Sequence, residues 1–180
     1  MCVVSFSMIG VELRIRMIGA LGMAIRVRMA TGNDIEKLIE ARFDFFEAEK
    51  FDVPPETRPT IEASLHQYFS QHLNTGFFAA LAEDNNRIVS LAFLAILEKP
   101  ASPLFPTGRT GTILNVLTYP EYRRKGLATQ TMGLLIEEGK EQNLSYIELS
   151  ASESGQLLYK KLGFENKEPH RYPEMRLSLL

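Results

Sequence analysis

Two stretches of this chain combine residue types that could do chemistry. The first is Arg123-Arg-Lys-Gly-Leu-Ala128, three cations followed by two small residues within six positions. A glycine and an alanine let a bulky anion reach backbone N–H groups, and the cations supply a matching field; the chemistry this suits is binding a phosphate or pyrophosphate. The second is Ser154-Gly-Gln-Leu-Leu-Tyr159-Lys-Lys-Leu-Gly-Phe164, which holds one phenol on a short amphipathic run. A phenol with an ordinary pKa of about 10 keeps its proton at neutral pH.

The phosphate reading requires a helix behind the basic loop. Ile113, Leu114, Val116 and Leu117 form a β-prone apolar run, and Pro120 stops a central strand. Leu127, Met132, Leu134, Leu135 and Ile136 then recur at helical spacing. A strand thus feeds a helix through the loop, so the free N–H groups of Leu127, Ala128 and Thr129 and the positive end of the helix dipole converge on one spot.

The spacing Arg-x-x-Gly-x-Ala after an apolar strand resembles the acyl-CoA-binding motif of the GNAT superfamily of N-acyltransferases. The Leu-Tyr pair ahead of Gly163-Phe164 is similar to that superfamily's second signature. The resemblance covers about residues 24 to 180. It implies an α/β (α+β) fold with a mixed, mostly antiparallel central sheet and helices on both faces. It also implies acetyl-CoA as cosubstrate and the primary amine of a small molecule or peptide as acceptor, attacking the thioester directly.

The resemblance assigns roles residue by residue. The signature strand of the family splays from its neighbour, which implicates the backbone of Val116, Leu117 and Thr118 in holding the pantetheine arm and the acyl carbonyl. Arg123, Arg124, Lys125, Gly126, Leu127, Ala128 and Thr129 would hold the pyrophosphate. Tyr159 matches the tyrosine that protonates the departing thiolate. Two departures stand out: Thr118 occupies a position where valine is commoner, and the asparagine frequent before the last helix is not evident, with only Ser152 and Ser154 nearby.

No general base stands out. Asn115, beside the expected acyl site, can donate or accept a hydrogen bond but takes no proton at neutral pH. Glu47, Glu98 and Glu148 are the carboxylates within range of this reading, and a water chain serves equally. Phe45, Phe46, Phe51, Tyr68 and Phe69 would fall on the helices that roof the family's acceptor site, although plain core packing explains each of them as well. A non-catalytic acyl-CoA-binding module is the alternative function, since it needs no base.

The remaining elements follow from periodicity. Ile25, Val27 and Met29 alternate with arginines as a first strand, and Thr31-Gly-Asn-Asp34 supplies capping oxygens for a helix carrying Ile35, Leu38, Ile39, Phe43 and Phe46. A three-proline loop over 52–59 precedes a second helix marked by Ile61, Leu65, Tyr68, Phe69 and Leu73. Residues 77–82 and 88–97 read as a hairpin, 145–150 as a strand after the signature helix, and Phe164 with Met175, Leu177 and Leu179 as a final strand pair.

With 180 residues, 45% hydrophobic and 23% charged, the chain suits one domain with a real core, expected over 23–180. Residues 1–22 read as an extension that the domain can spare. A net charge of −2 argues against a general nucleic-acid binder, and the run 17–25 is too short to span a bilayer. A single cysteine, Cys2, allows no intrachain disulfide and suits a cytoplasmic protein. His66, His72 and His170 lack metal-ligand spacing. A homodimer is left open.

Overall fold

A computed structural model describes residues 25–167 and 175–178. The alternating segment at the start forms strand β1, Arg26–Met29. A 3-10 turn, Gly32–Asp34, then leads into helix α1, Ile35–Ala48. Asp34 closes this corner. Its carboxylate accepts the Thr31 N–H at 2.8 Å and both Nη atoms of Arg28 at 2.7 and 2.8 Å, which is why a carboxylate only 3% exposed is tolerated there.

Helix α2, Arg58–His72, starts inside the expected loop because Pro59 fits the first turn, where no intrahelical N–H is needed. Strands β2, Phe77–Asp84, and β3, Arg87–Glu98, form the hairpin. Asn85 and Asn86 turn it at φ 50° and 65°, the left-handed pair of a tight hairpin turn, so the strands run closer to the turn than expected. Strand β4, Arg109–Thr118, helix α3, Leu127–Glu141, the two-residue strand β5, Ile147–Glu148, and helix α4, Gln156–Lys161, complete the elements.

The sheet order is β1-β2-β3-β4-β5, antiparallel except for the parallel β4–β5 pair. Its sides differ. Leu38, Phe43, Phe69, Leu81, Leu91, Phe93 and Leu117 build one core under α1 and α2. Phe78, Ala92, Leu94, Ile113, Met132 and Leu135 build another under α3, with Tyr159 of α4 packed against it. The mixed, mostly antiparallel sheet with helices on both faces is therefore observed.

The expected final strand pair is not. Among the described residues, 164–167 and 175–178 form no ladder, and Met175 and Leu177 are 94% and 82% exposed. Strand β5 is likewise shorter than the expected 145–150, because β4 leaves it after two pairs. Leu179, the extension 1–22 and the domain boundary at Met23 lie outside the described residues.

Candidate functional site

Two irregularities in β4 shape the site. On its β5 side the ladder ends after Gly111↔Ile147 and Thr112↔Glu148, so residues 113–118 have no strand partner there among the described residues. On its β3 side Phe93 faces Leu114 and Leu91 faces Leu117, leaving Asn115 and Val116 opposite the single residue Ala92. That is a β-bulge, and Asn115 carries it at φ 54°. The bulge resets the side-chain phase. Ile113 and Val116 both reach the α3 core, Leu117 reaches the α1–α2 core, and Leu114 is left 39% exposed in mid-strand.

Asn115 is 3% exposed. Its Oδ1 accepts a 2.9 Å hydrogen bond from Arg42 Nη1, and its Nδ2 has no partner among the described residues. Arg42, on α1, also lies over the Phe46 ring at 4.5 Å and near Phe45 at 5.7 Å. Thr118 turns the other way. Its hydroxyl is 2.7 Å from that of the buried Ser90, which also donates to the Leu117 carbonyl at 3.1 Å. The threonine at this position thus fills a polar pair inside the sheet, and its backbone alone faces the unpaired side.

Beyond β4 the chain turns through a 3-10 segment, Pro120–Tyr122, into the basic loop. Arg123 folds back, with Nε donating to the Thr118 carbonyl at 3.0 Å. Arg124 and Gly126 both adopt left-handed backbone, φ 61° and 75°. For arginine this conformation costs about 1 kcal/mol, the kind of strain a loop retains where its backbone must point a particular way. Lys125 Nζ sits 4.7 Å from the Tyr122 ring centroid, and Tyr122 donates to Asp84 at 2.8 Å.

Gly126 is the N-cap of α3, and no side chain caps that helix. A Cβ at Gly126 would meet nothing within 4 Å. The first-turn N–H groups, on Leu127, Ala128 and Thr129, are therefore without a capping side chain and open outward, while Leu127 itself is buried. Uncapped N–H groups, a left-handed glycine and three exposed cations make a fitting cradle for a pyrophosphate. The 3-10 turn links this cradle to the end of β4, and Arg123 Nε bonds back to the Thr118 carbonyl.

Tyr159 stands on the same side of the sheet as α3. Its ring packs edge-on against Phe164, with centroids 6.1 Å apart. Gly155 permits this placement, since a Cβ there would come within 2.7 Å of the tyrosine ring. Gly163, at φ 91°, ends the helix as its sequence position suggested. The Tyr159 hydroxyl has no hydrogen-bond partner among the described residues. Burial raises its pKa, and the negative charge of Glu49 raises it further, so the phenol keeps its proton at neutral pH.

Glu49, just past α1, lines a cleft with Ser152, Glu153 and Ser154. Sequence reasoning passed over it, because only the fold brings the end of α1 beside α4. The carboxylates it did single out are otherwise employed or remote: Glu98 is 75% exposed and pairs with Arg109 at 3.2 Å, and Glu148 pairs with Lys167 at 3.0 Å. Glu47 is exposed on α1. Of the aromatics expected to roof an acceptor site, Phe69 is core, Phe45 and Phe46 pack against it beside Arg42, and Phe51 and Tyr68 are exposed. Among the described residues no cluster of metal-ligating side chains occurs, and no helix is long and apolar enough to cross a membrane.

Known structures share this fold. A predicted acetyltransferase with acetyl-CoA from Clostridium acetobutylicum is 31% identical over 84% of this chain and 96% of its own, with a TM-score of 0.73. A GCN5-related N-acetyltransferase from Ralstonia eutropha has the same fold at 21% identity, 84% and 99% coverage and a TM-score of 0.70. So does an aminoglycoside N-acetyltransferase in complex with CoA, at 14% identity, 89% and 100% coverage and a TM-score of 0.65. No curated protein matches the chain. The family model described as the acetyltransferase (GNAT) family matches residues 35–164, which take in β4, the cradle at α3 and the Tyr159 helix, and the chain belongs to that family.

Proposed function

We propose that the protein is an acetyl-CoA-dependent N-acetyltransferase acting on a primary amine of a small molecule or peptide. The observation that carries this reading is the outer edge of β4 from 113 to 118, which has no strand partner among the described residues and leads through a 3-10 turn to an uncapped helix start at Gly126. A phosphate group at one end and an extended amide-bearing arm along the strand account for both features.

Acetyl-CoA supplies the acetyl group already activated as a thioester. Arg123, Arg124, Lys125 and the N–H groups of Gly126, Leu127, Ala128 and Thr129 hold its pyrophosphate. The Leu117 N–H, implicated by the resemblance, is turned toward Leu91 of β3 by the register, so the outward backbone of Val116 and Thr118 both orients the arm and offers the N–H for the carbonyl oxygen as negative charge grows there. The neutral amine attacks the carbonyl carbon; a C–N bond forms as the C–S bond breaks. Tyr159 gives its proton to the departing sulfur, and the proton shed by the amine replaces it through solvent or Glu49. Asn115 takes no proton in this scheme and serves to hold the bulge.

Substituting Gly126 tests the cradle. Valine would strain the left-handed backbone, whereas asparagine tolerates it, so Gly126→Asn adds a side chain into the open space at little cost to the fold. The expected calorimetric result is at least a tenfold weaker affinity for acetyl-CoA, with the melting temperature within a few degrees of wild type. Unchanged affinity in the folded variant would remove this loop from the site. Free-thiol release across a panel of amines then tests turnover.

A further inference from the structure

Among the described residues, Arg42 is a charge without a counter-charge. Its guanidinium is half-buried between Phe46 and the bulge of β4, spends one N–H on Asn115 Oδ1, and has no carboxylate partner among the described residues. Arginine offers five N–H donors, and burying the rest unpaired is costly. Arg28, also largely buried, is met by two carboxylates, Asp34 at 2.7 Å and Glu83 at 3.2 Å. The fold thus satisfies one arginine fully and leaves the other open.

The surroundings of Arg42 point to a small ligand. Leu114, next to Asn115, is exposed in mid-strand, and Phe45 and Phe46 stand beside the guanidinium. Asn115 is the neighbour of Val116, their Cα atoms about 3.8 Å apart. An anion held by Arg42 is therefore close to the place where the acyl carbonyl is proposed to sit.

We propose that Arg42 binds an anionic oxygen group on the acceptor, so that the enzyme acetylates small amines that also carry a carboxylate or a phosphate. This rests on the acetyltransferase reading above. The guanidinium fork pairs two oxygens of either group at once, and a ligand anion supplies the counter-charge the protein withholds. Neutral amines of the same shape leave that charge unpaired and bind worse.

The test uses matched pairs. The twenty standard amino acids are compared with their carboxamides, and phosphoethanolamine and glucosamine 6-phosphate with ethanolamine and glucosamine. Each is assayed for free-thiol release with acetyl-CoA, and for thermal stabilisation of the CoA-saturated protein. The expected result is a preference of at least tenfold in kcat/KM for the anionic member of one series, identifying carboxylate or phosphate. Arg42→Met should erase that preference, mainly through KM, and Arg42→Lys should restore part of it.

The two readouts separate the two claims. Anionic ligands that stabilise the protein through Arg42 while no amine releases thiol would keep the anion site and overturn the transferase reading. Neutral amines acetylated as well as their anionic twins would keep the transferase and overturn the role of Arg42. Neither stabilisation nor a preference in any series also overturns it, whether or not the Met variant folds.

Discussion

Two corners of this molecule place an arginine in a partly buried setting and treat it in opposite ways. At the β1–α1 corner Arg28 is gripped by Asp34 and Glu83, with Lys37 reaching Glu83 at 3.5 Å and the Thr31 N–H completing the carboxylate. At the β4 bulge Arg42 has one amide oxygen and two rings. The tyrosines repeat the contrast: Tyr119 donates to Asp44, while the Tyr159 hydroxyl has no partner among the described residues. Saturated groups hold the fold together. Unsaturated ones mark where the fold expects something else to arrive.

The strongest way to break the comparison is at the saturated corner. Asp34→Ala leaves Arg28 facing Glu83 alone and the Thr31 N–H unbonded, and should cost about 3 kcal/mol of stability, read as a lower midpoint in urea unfolding. A loss below about 1 kcal/mol would mean that the pair is ornamental and that partner count says nothing about role.

Acid sharpens the same point. Hydrogen bonding and charge from Arg28 hold the Asp34 carboxyl far below the ordinary carboxylate range. A depressed folded pKa contributes stability that is complete above the unfolded value of about 3.9 and is lost as pH falls below it. Wild type should therefore lose stability between pH 5 and about 2 more steeply than Asp34→Asn. Parallel acid limbs for the two proteins would contradict that assignment.

The smallest effect belongs to the open corner. Arg42→Met gives up a cation–π contact worth about 0.5–1 kcal/mol but relieves a buried, unpaired charge whose pKa desolvation pulls down. Stability should stay within about 1 kcal/mol of wild type, even as anion recognition is lost. A fall as large as that of Asp34→Ala would make Arg42 a structural residue and erase the contrast.

Much of this layout was legible in the residue order. Alternation found β1, turn chemistry found the hairpin, and the small residues behind three cations found the start of α3. The bulge left a trace that went unread: Ile113-Leu-Asn-Val-Leu117 is two apolar pairs split by asparagine, a phase slip that continuous strand alternation does not produce. Arg42 left none, because its partner lies 73 positions away and only the packing of α1 on β4 brings them together. Glu49 was hidden for the same reason. The final strands differ: the alternation of Met175 and Leu177 is present but neither residue is buried, and much of the expected pair lies outside the described residues.

Tyr159 tests the central claim, that this chain transfers an acetyl group and that an unengaged phenol supplies the proton. The measurement is steady-state kinetics of Tyr159→Phe on an acceptor found in the thiol-release panel, beside acetyl-CoA titration and a thermal melt, with Tyr119→Phe as its counterpart. Tyr119→Phe loses its bond to Asp44 and should melt lower, by about 1 kcal/mol of stability, with turnover nearly intact. Tyr159→Phe should melt with wild type and bind acetyl-CoA as well, yet turn over roughly ten- to a thousandfold more slowly. Wild-type turnover in the Tyr159→Phe enzyme would contradict the account.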